Sequence, residues 1–330
     1  MAGLNDSCTD LEVLLKRYYL SVAYGIIFVV GLVGNITSIG IYIAKLRPWK
    51  SSSIIMVNLA LMDLLYVLTM PFLVYYYSNG ESWMLGDFMC RFVRFAFHFH
   101  LYGSILSLSC VAVFRFLVVI QPLKVVEVQQ KVWGIVACLV VWIISAAEVT
   151  PMLTFISLTH KDNMTFCIDF ANIIESVGSI RKYNWLLTAF GFALPSMLVF
   201  VCYIGIVKRL TSGSSPTTSC RMRARRVIVL ILVVFAMCYL PYHILRVLWV
   251  EIRTNSATKC TKYVVNAAYI ISRPLAGLNT FFNLALYTLS GDNFRKAFVD
   301  IFCREQWLTK AKSLLHLNIV HRAETDMPAA

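Results

Sequence analysis

The run from Cys90 to Lys124, CRFVRFAFHFHLYGSILSLSCVAVFRFLVVIQPLK, decides the fold. From Phe99 to Phe114 it carries no formal charge, and it is bounded by Arg94 and Arg115. The 21 positions between those arginines rise about 31 Å as a helix, close to the ~30 Å hydrocarbon thickness of a bilayer. At about 100° per residue the two cations point to within roughly 60° of the same side. One membrane-spanning helix therefore carries a cation at each end, and Arg94 and Arg115 can face pockets that open in opposite directions.

The rest of the composition agrees. Of 330 residues, 59% are hydrophobic and only 14% charged, too apolar for a soluble domain. The net charge of +13 is spread over short connections instead of gathered on one soluble face, which argues against nucleic acid and for a basic membrane face. The first 18 residues are polar, with Asp6, Asp10 and Glu12 ahead of Lys16 and Arg17, so no cleavable leader is expected and the first span is read as its own insertion signal. Cys110, Cys138, Cys202 and Cys238 sit inside apolar runs as small core residues. Cys8, Cys90, Cys167 and Cys260 fall in segments placed outside the membrane.

Hydropathy gives seven runs long enough to span, at 19–45, 53–77, 88–121, 131–152, 183–210, 224–250 and 263–289. The expected fold class is an all-α membrane protein, a seven-transmembrane helix bundle followed by a short amphipathic helix. Lys and Arg crowd the connections after spans one, three and five and the segment after span seven, which puts the amino terminus outside and the carboxyl terminus inside. The sequons at Asn5 and Asn163 then lie outside, open to glycosylation, while the one at Asn35 lies within a span. The expected organisation is an extracellular amino terminus (1–18), a receptor bundle (19–289), a membrane-surface helix (290–303) and a cytoplasmic tail (304–330). Cys303 is a candidate for palmitoylation or a plain thiol.

Three arginines, Arg94, Arg246 and Arg273, fall in the outer thirds of spans three, six and seven. Each would cost roughly 2.5–3.5 kcal/mol at the bilayer centre, so each should face a wet cavity or a partner. A guanidinium fork matches a carboxylate bidentately, and separated arginines can grip both ends of a dicarboxylate. His98, one turn below Arg94, can donate to such a ligand, and Tyr24, Tyr77 and His243 can complete the wall. The competing reading pairs these arginines with Asp169, Glu175 or Glu251.

A set of short motifs runs through the spans in order: Gly34-Asn35, Asn58-Leu59-Ala60-Leu61-Met62-Asp63, Cys90 with Arg115, Trp142, Pro195 with Tyr203, Cys238-Tyr239-Leu240-Pro241, and Asn283-Leu284-Ala285-Leu286-Tyr287. In these the chain resembles the rhodopsin-like (class A) family of G-protein-coupled receptors over residues 19–302. Three positions depart from the family pattern: Phe114-Arg115-Phe116 replaces its acid-Arg-Tyr triplet, Tyr239 its sixth-span Trp and Leu284 its seventh-span Pro. Met70-Pro71-Phe72-Leu73, Gly86-Asp87-Phe88-Met89-Cys90, His243-Ile244-Leu245-Arg246-Val247 and Ser272-Arg273-Pro274-Leu275 carry the likeness to the dicarboxylate and nucleotide branch.

That resemblance implies a plasma-membrane receptor for a small dicarboxylate, 2-oxoglutarate first, acting through heterotrimeric G proteins of the Gq type, with arrestin as a further candidate partner. Succinate, a nucleotide or an acidic lipid such as a cysteinyl leukotriene are the alternative ligands. It implies coupling roles for Arg115, Tyr203 and Tyr287, and a Cys90–Cys167 disulfide, with Cys8 and Cys260 then left to each other, although four cysteines permit three pairings. It also implies a sodium ion among Asp63, Ser104, Asn279 and Asn283, the competing reading being a protonated Asp63 bonded to Asn35 and Asn283. A transporter of organic anions is the rival from another class, but no repeated half is apparent. A retinal protein would need a span-seven lysine beyond Lys262, and no nucleophile with an oriented base or metal motif supports an enzyme.

Overall fold

A computed structural model describes residues 12–121, 124–161, 164–170, 177–211, 218–254 and 258–290, together with 294, 296 and 297. Among the described residues, six helices are long and apolar enough to cross a membrane: α1 (Glu12–Lys45), α2 (Ser51–Ser78), α3 (Gly86–Ile120), α4 (Lys131–Thr154), α5 (Val177–Arg209) and α6 (Ala224–Arg253). The seventh, α7, comes in two pieces, Lys259–Gly277 and Asn279–Ser290. Lys259, Lys262 and Arg273 make its first piece more polar than the other spans, and Pro274 sits one turn before the break. The backbone N–H of Leu278 donates to the carbonyls of Pro274 and Leu275, which closes the turn at the junction.

The helices overrun the boundaries expected from hydropathy. The first begins by Glu12 instead of residue 19, the fifth at Val177 instead of 183, and the sixth span is preceded by helix from Thr218. A helix does not stop where its apolar stripe stops; its end is set by turn chemistry and packing, which hydropathy does not read. Inside α5 and α6, one π-helical turn covers Ala189–Ala193, ahead of Pro195, and another covers Phe235–Tyr239, ahead of Pro241. Both prolines remove a backbone donor, and a widened turn beside each is one way the helix continues.

α3 is the axis of the bundle, packed against α2, α4, α5 and α6. Accordingly Leu101, Tyr102, Ile105, Leu108 and Ala112 are buried, whereas Val29, Val33 and Ile36 of α1 and Leu139 and Ile143 of α4 are exposed as a lipid-facing surface must be. Trp142 of α4 donates its indole N–H to Asn58 Oδ1 of α2 at 2.6 Å. Gly134 lets the same two helices close up, since a Cβ there would lie 2.7 Å from the Ser51 carbonyl oxygen.

Between α4 and α5 the chain forms an antiparallel hairpin, β1 (Ser157–Lys161) and β2 (Met164–Ile168), in register from Ser157 opposite Ile168 to Lys161 opposite Met164. The disulfide expected from the resemblance, Cys90–Cys167, pins β2 to the start of α3. A second tie runs from the Trp83 N–H to the Thr165 carbonyl at 2.7 Å. The hairpin is thereby held across one end of the bundle. Asn5, Cys8, Asn163 and Glu175, nearly all of the expected surface helix at 290–303, and the tail lie outside the described residues. Cys260 is described and exposed, and has no disulfide partner among the described residues.

Candidate functional site

At the hairpin end the helices surround a cavity of about 180 Å³, lined among others by Tyr77, Arg94, Asp169, Trp249, Arg253 and Arg273. Its walls come from helical spacing. Arg94, His98 and Tyr102 recur every four residues on one face of α3, and all three are buried.

Arg94 is the best held of the cations. Its Nη2 donates to the Cys167 carbonyl at 2.9 Å, and its Nε lies 3.4 Å from Asp169 Oδ1. Because Cys167 is the disulfide residue, the bridge that fixes the hairpin also aims this guanidinium. Asp169 follows two residues later and is itself buried. Burial pushes its carboxyl upward, but the Arg94 guanidinium, with His98, Arg273 and Arg246 beyond it, holds it below the usual carboxylate range, so it is ionised at neutral pH. A loop carboxylate thus stands among all three arginines.

Arg273 donates to the Tyr77 hydroxyl at 3.3 Å and lies over the Tyr269 ring at 4.7 Å. Tyr77 lines the cavity on the α2 side and packs against Tyr24 of α1, ring centroids 6.1 Å apart; Tyr24 itself is absent from the lining. Arg246 is placed differently. It is fully buried, donates Nη1 to the Tyr102 hydroxyl at 2.9 Å and lies 5.5 Å from the ring centre of Phe170. It is absent from the cavity lining, and its Nε and Nη2 meet no hydrogen-bond partner among the described residues. The structure therefore brings Arg94 and Arg273 to the open cavity and puts Arg246 beneath Phe170, a residue at φ 57°.

His98 bridges the two regions. Its Nδ1 lies 2.9 Å from the Arg94 carbonyl and must carry the proton, which leaves Nε2 to accept from the Tyr242 hydroxyl at 3.3 Å. His243 lies deeper, stacked on Phe192 at 4.4 Å, with neither ring nitrogen bonded. Glu251, weighed as an arginine partner, bonds Arg181 and Trp185 of α5. Arg253, over the Trp249 ring at 4.4 Å, and Lys16, paired with Glu12 and Glu81, also line the cavity, and sequence reasoning passed over both. Tyr102 and Tyr242 were missed too, although each falls a helical turn from a residue already singled out.

Halfway down the bundle, Asp63 accepts from Asn283 Nδ2 at 2.9 Å, but its other oxygen meets His100 Nε2 at 2.8 Å. His100 was not foreseen. The Asn35–Asp63 bond of the competing reading is not found among the described residues, where the Asn35 amide donates to the Gly31 carbonyl one turn earlier. Asn279 donates to the Tyr239 hydroxyl at 2.7 Å, and Ser104 is buried alongside. At the opposite end of the bundle Arg115 and Tyr203 are half-buried and Tyr287 is buried against Tyr42.

Comparison with known proteins places this architecture. The family described as 7 transmembrane receptor (rhodopsin family) matches residues 34–287. The chain is 47% identical over 293 residues to 2-oxoglutarate receptor 1 of Rattus norvegicus, covering 89% of this chain and 87% of the relative. It is 46% identical over 295 residues to the Mus musculus receptor of the same name, with the same coverage, 89% and 87%. To a purinoceptor of Meleagris gallopavo it is 36% identical over 295 residues, covering 88% of this chain and 82% of the relative. These relatives are receptors and not enzymes, and the chain belongs to the rhodopsin-like family of seven-transmembrane receptors.

Proposed function

We propose that this chain is a cell-surface receptor for a small dicarboxylate, 2-oxoglutarate, that enters at the hairpin end and signals through heterotrimeric G proteins of the Gq type. The observation that carries the reading is the pair of guanidinium groups, Arg94 of α3 and Arg273 of α7, that line one cavity together with the Asp169 carboxylate. An arrangement that already holds one carboxylate in a desolvated setting is suited to hold another. The 47% identity to a relative whose name specifies 2-oxoglutarate supports that choice of ligand.

A dianion entering the cavity exchanges water for fixed donors. One carboxylate competes with Asp169 for Arg94, and the other is met by Arg273 with the Tyr77 hydroxyl beside it. Tyr24 and His98 support these groups, and Arg246, with two nitrogens still to satisfy, draws α6 toward the ligand once Phe170 moves. In this reading the amino terminus, with Asn5, and the hairpin turn, with Asn163, are outside the cell and glycosylated, and the carboxyl-terminal tail is inside. Arg115, Tyr203 and Tyr287 then lie at the face that meets the G protein and, after activation, arrestin.

Calcium release in cells expressing the chain, recorded over a panel of 2-oxoglutarate, succinate, nucleotides and acidic lipids, tests the proposal. A response to 2-oxoglutarate well below the concentrations needed of the others supports it; a response to nucleotides alone overturns it. A nucleotide is the second reading, favoured by Arg253 as an extra cation in the cavity.

A further inference from the structure

The carboxylate of Asp63 is fully buried at the middle of the bundle, where a charge is costly unless other groups meet it. Two side chains do so. His100 of α3 brings Nε2 to 2.8 Å from Oδ1, and Asn283 of α7 donates Nδ2 to Oδ2 at 2.9 Å. The His100 ring is 1% exposed and lies flat on Tyr66, centroids 4.3 Å apart and planes within 7°. It cannot leave Asp63 without giving up that stack.

The family resemblance sets a sodium ion beside Asp63, Ser104, Asn279 and Asn283. Part of the donor set fits, since Asn279 Oδ1 and Asn283 Oδ1 are buried and without a hydrogen-bond partner, and Ser104 is buried too. The fit fails at the carboxylate, the one full charge in the set. A metal ion needs lone pairs of Asp63, and an imidazole N–H aimed at the same oxygen presents a positive hydrogen instead. Cation and ring compete for one place, and the ring is covalently tethered there.

We propose that His100 takes the place of the sodium ion, making Asp63, His100 and Asn283 a clasp that ties α2, α3 and α7 together without a metal. No change of charge on the ring is required, because a neutral imidazole with its proton on Nε2 makes the same bond. The inference is independent of which ligand binds at the hairpin end.

Thermal unfolding of the purified full-length receptor, without ligand, in sodium chloride and in N-methylglucamine chloride of equal ionic strength tests it. The parent is expected to melt at the same temperature in both salts. His100→Asn replaces the ring by a smaller amide that can offer its oxygen, and should gain a sodium-specific rise of about 1–3 °C that grows with the logarithm of sodium concentration. His100→Ser should do the same, and adding Asp63→Asn to either variant should abolish the rise. A sodium-specific rise in the parent overturns the proposal, with or without the variants. So does a folded His100→Asn and a folded His100→Ser receptor that both ignore sodium.

Discussion

Replacing Arg94 by alanine removes the cation that the structure holds most firmly. Arg94 is 8% exposed, and its Nη2 is already fixed on the Cys167 carbonyl at 2.9 Å, so little side-chain freedom is lost when a ligand binds. Removing one partner of such a desolvated charge pair costs about 2–5 kcal/mol, which is about 30-fold to several thousand-fold in affinity. A second effect adds to that loss. Without Arg94 the buried Asp169 turns to Arg273 and Arg246, which are already within its electrostatic reach, and it then competes with the ligand at those sites. The same turn limits the penalty of leaving Asp169 unpaired in the free receptor, so hairpin docking should survive. The expected result for Arg94→Ala is therefore a loss of at least about 30-fold in dicarboxylate potency, read by calcium release at matched surface expression. Arg94→Lys should recover only part of it, a point charge replacing the fork. A monoamide of the dicarboxylate should be weak on the parent and lose less on mutation of whichever arginine held the missing carboxylate. If Arg94→Ala responds to the dicarboxylate as the parent does, the arginine serves only to dock the hairpin and the ligand assignment fails.

Four further outcomes follow from contacts elsewhere. Cys90→Ser opens a loop closed over a sequence separation of 77, worth about 4 kcal/mol by chain entropy, and should show as lost surface expression and a lower melting temperature. Gly134→Ala drives a methyl against the Ser51 backbone and should cost about 1–3 kcal/mol in thermal unfolding of the purified receptor. Trp142→Phe leaves Asn58 Oδ1 without its 2.6 Å donor and should destabilise by about 1–3 kcal/mol, with ligand affinity little changed. Arg115→Ala, at the far end of α3 from Arg94, should abolish calcium release while labelled ligand still binds.

The fold was legible because a bilayer imposes lengths and forbids unmet backbone groups, so apolar runs and loop charge report the spans directly. Even the seventh span was readable by pattern, although Lys259, Lys262 and Arg273 lower its hydropathy and Leu278 interrupts it. Helix ends were misplaced by up to seven residues at α1, since polar extensions such as Glu12–Tyr18 continue a helix that hydropathy takes to begin later. In the site, Arg94, Arg273, Tyr24 and Tyr77 could be found as costly or amphipathic residues near one end of their spans. Their separation from Arg246 could not, because it depends on Phe170 folding down from a hairpin whose position the disulfide sets. Asp169 was seen only as a competing partner. That it stands among the cations is a tertiary fact. His100 escaped for a simpler reason: a second histidine in an aromatic run reads as core, and nothing local says that Asp63 of another helix lies 2.8 Å away.

The central claim is that the cavity beneath the hairpin binds a dicarboxylate, and equilibrium binding of radiolabelled 2-oxoglutarate to the purified receptor tests it most directly. Saturable binding to the parent is expected, displaced by unlabelled 2-oxoglutarate and much less well by its monoamide, and weakened by both Arg94→Ala and Arg273→Ala. Absence of saturable binding to a receptor that still binds a labelled nucleotide, or binding that both variants leave unchanged, would contradict it.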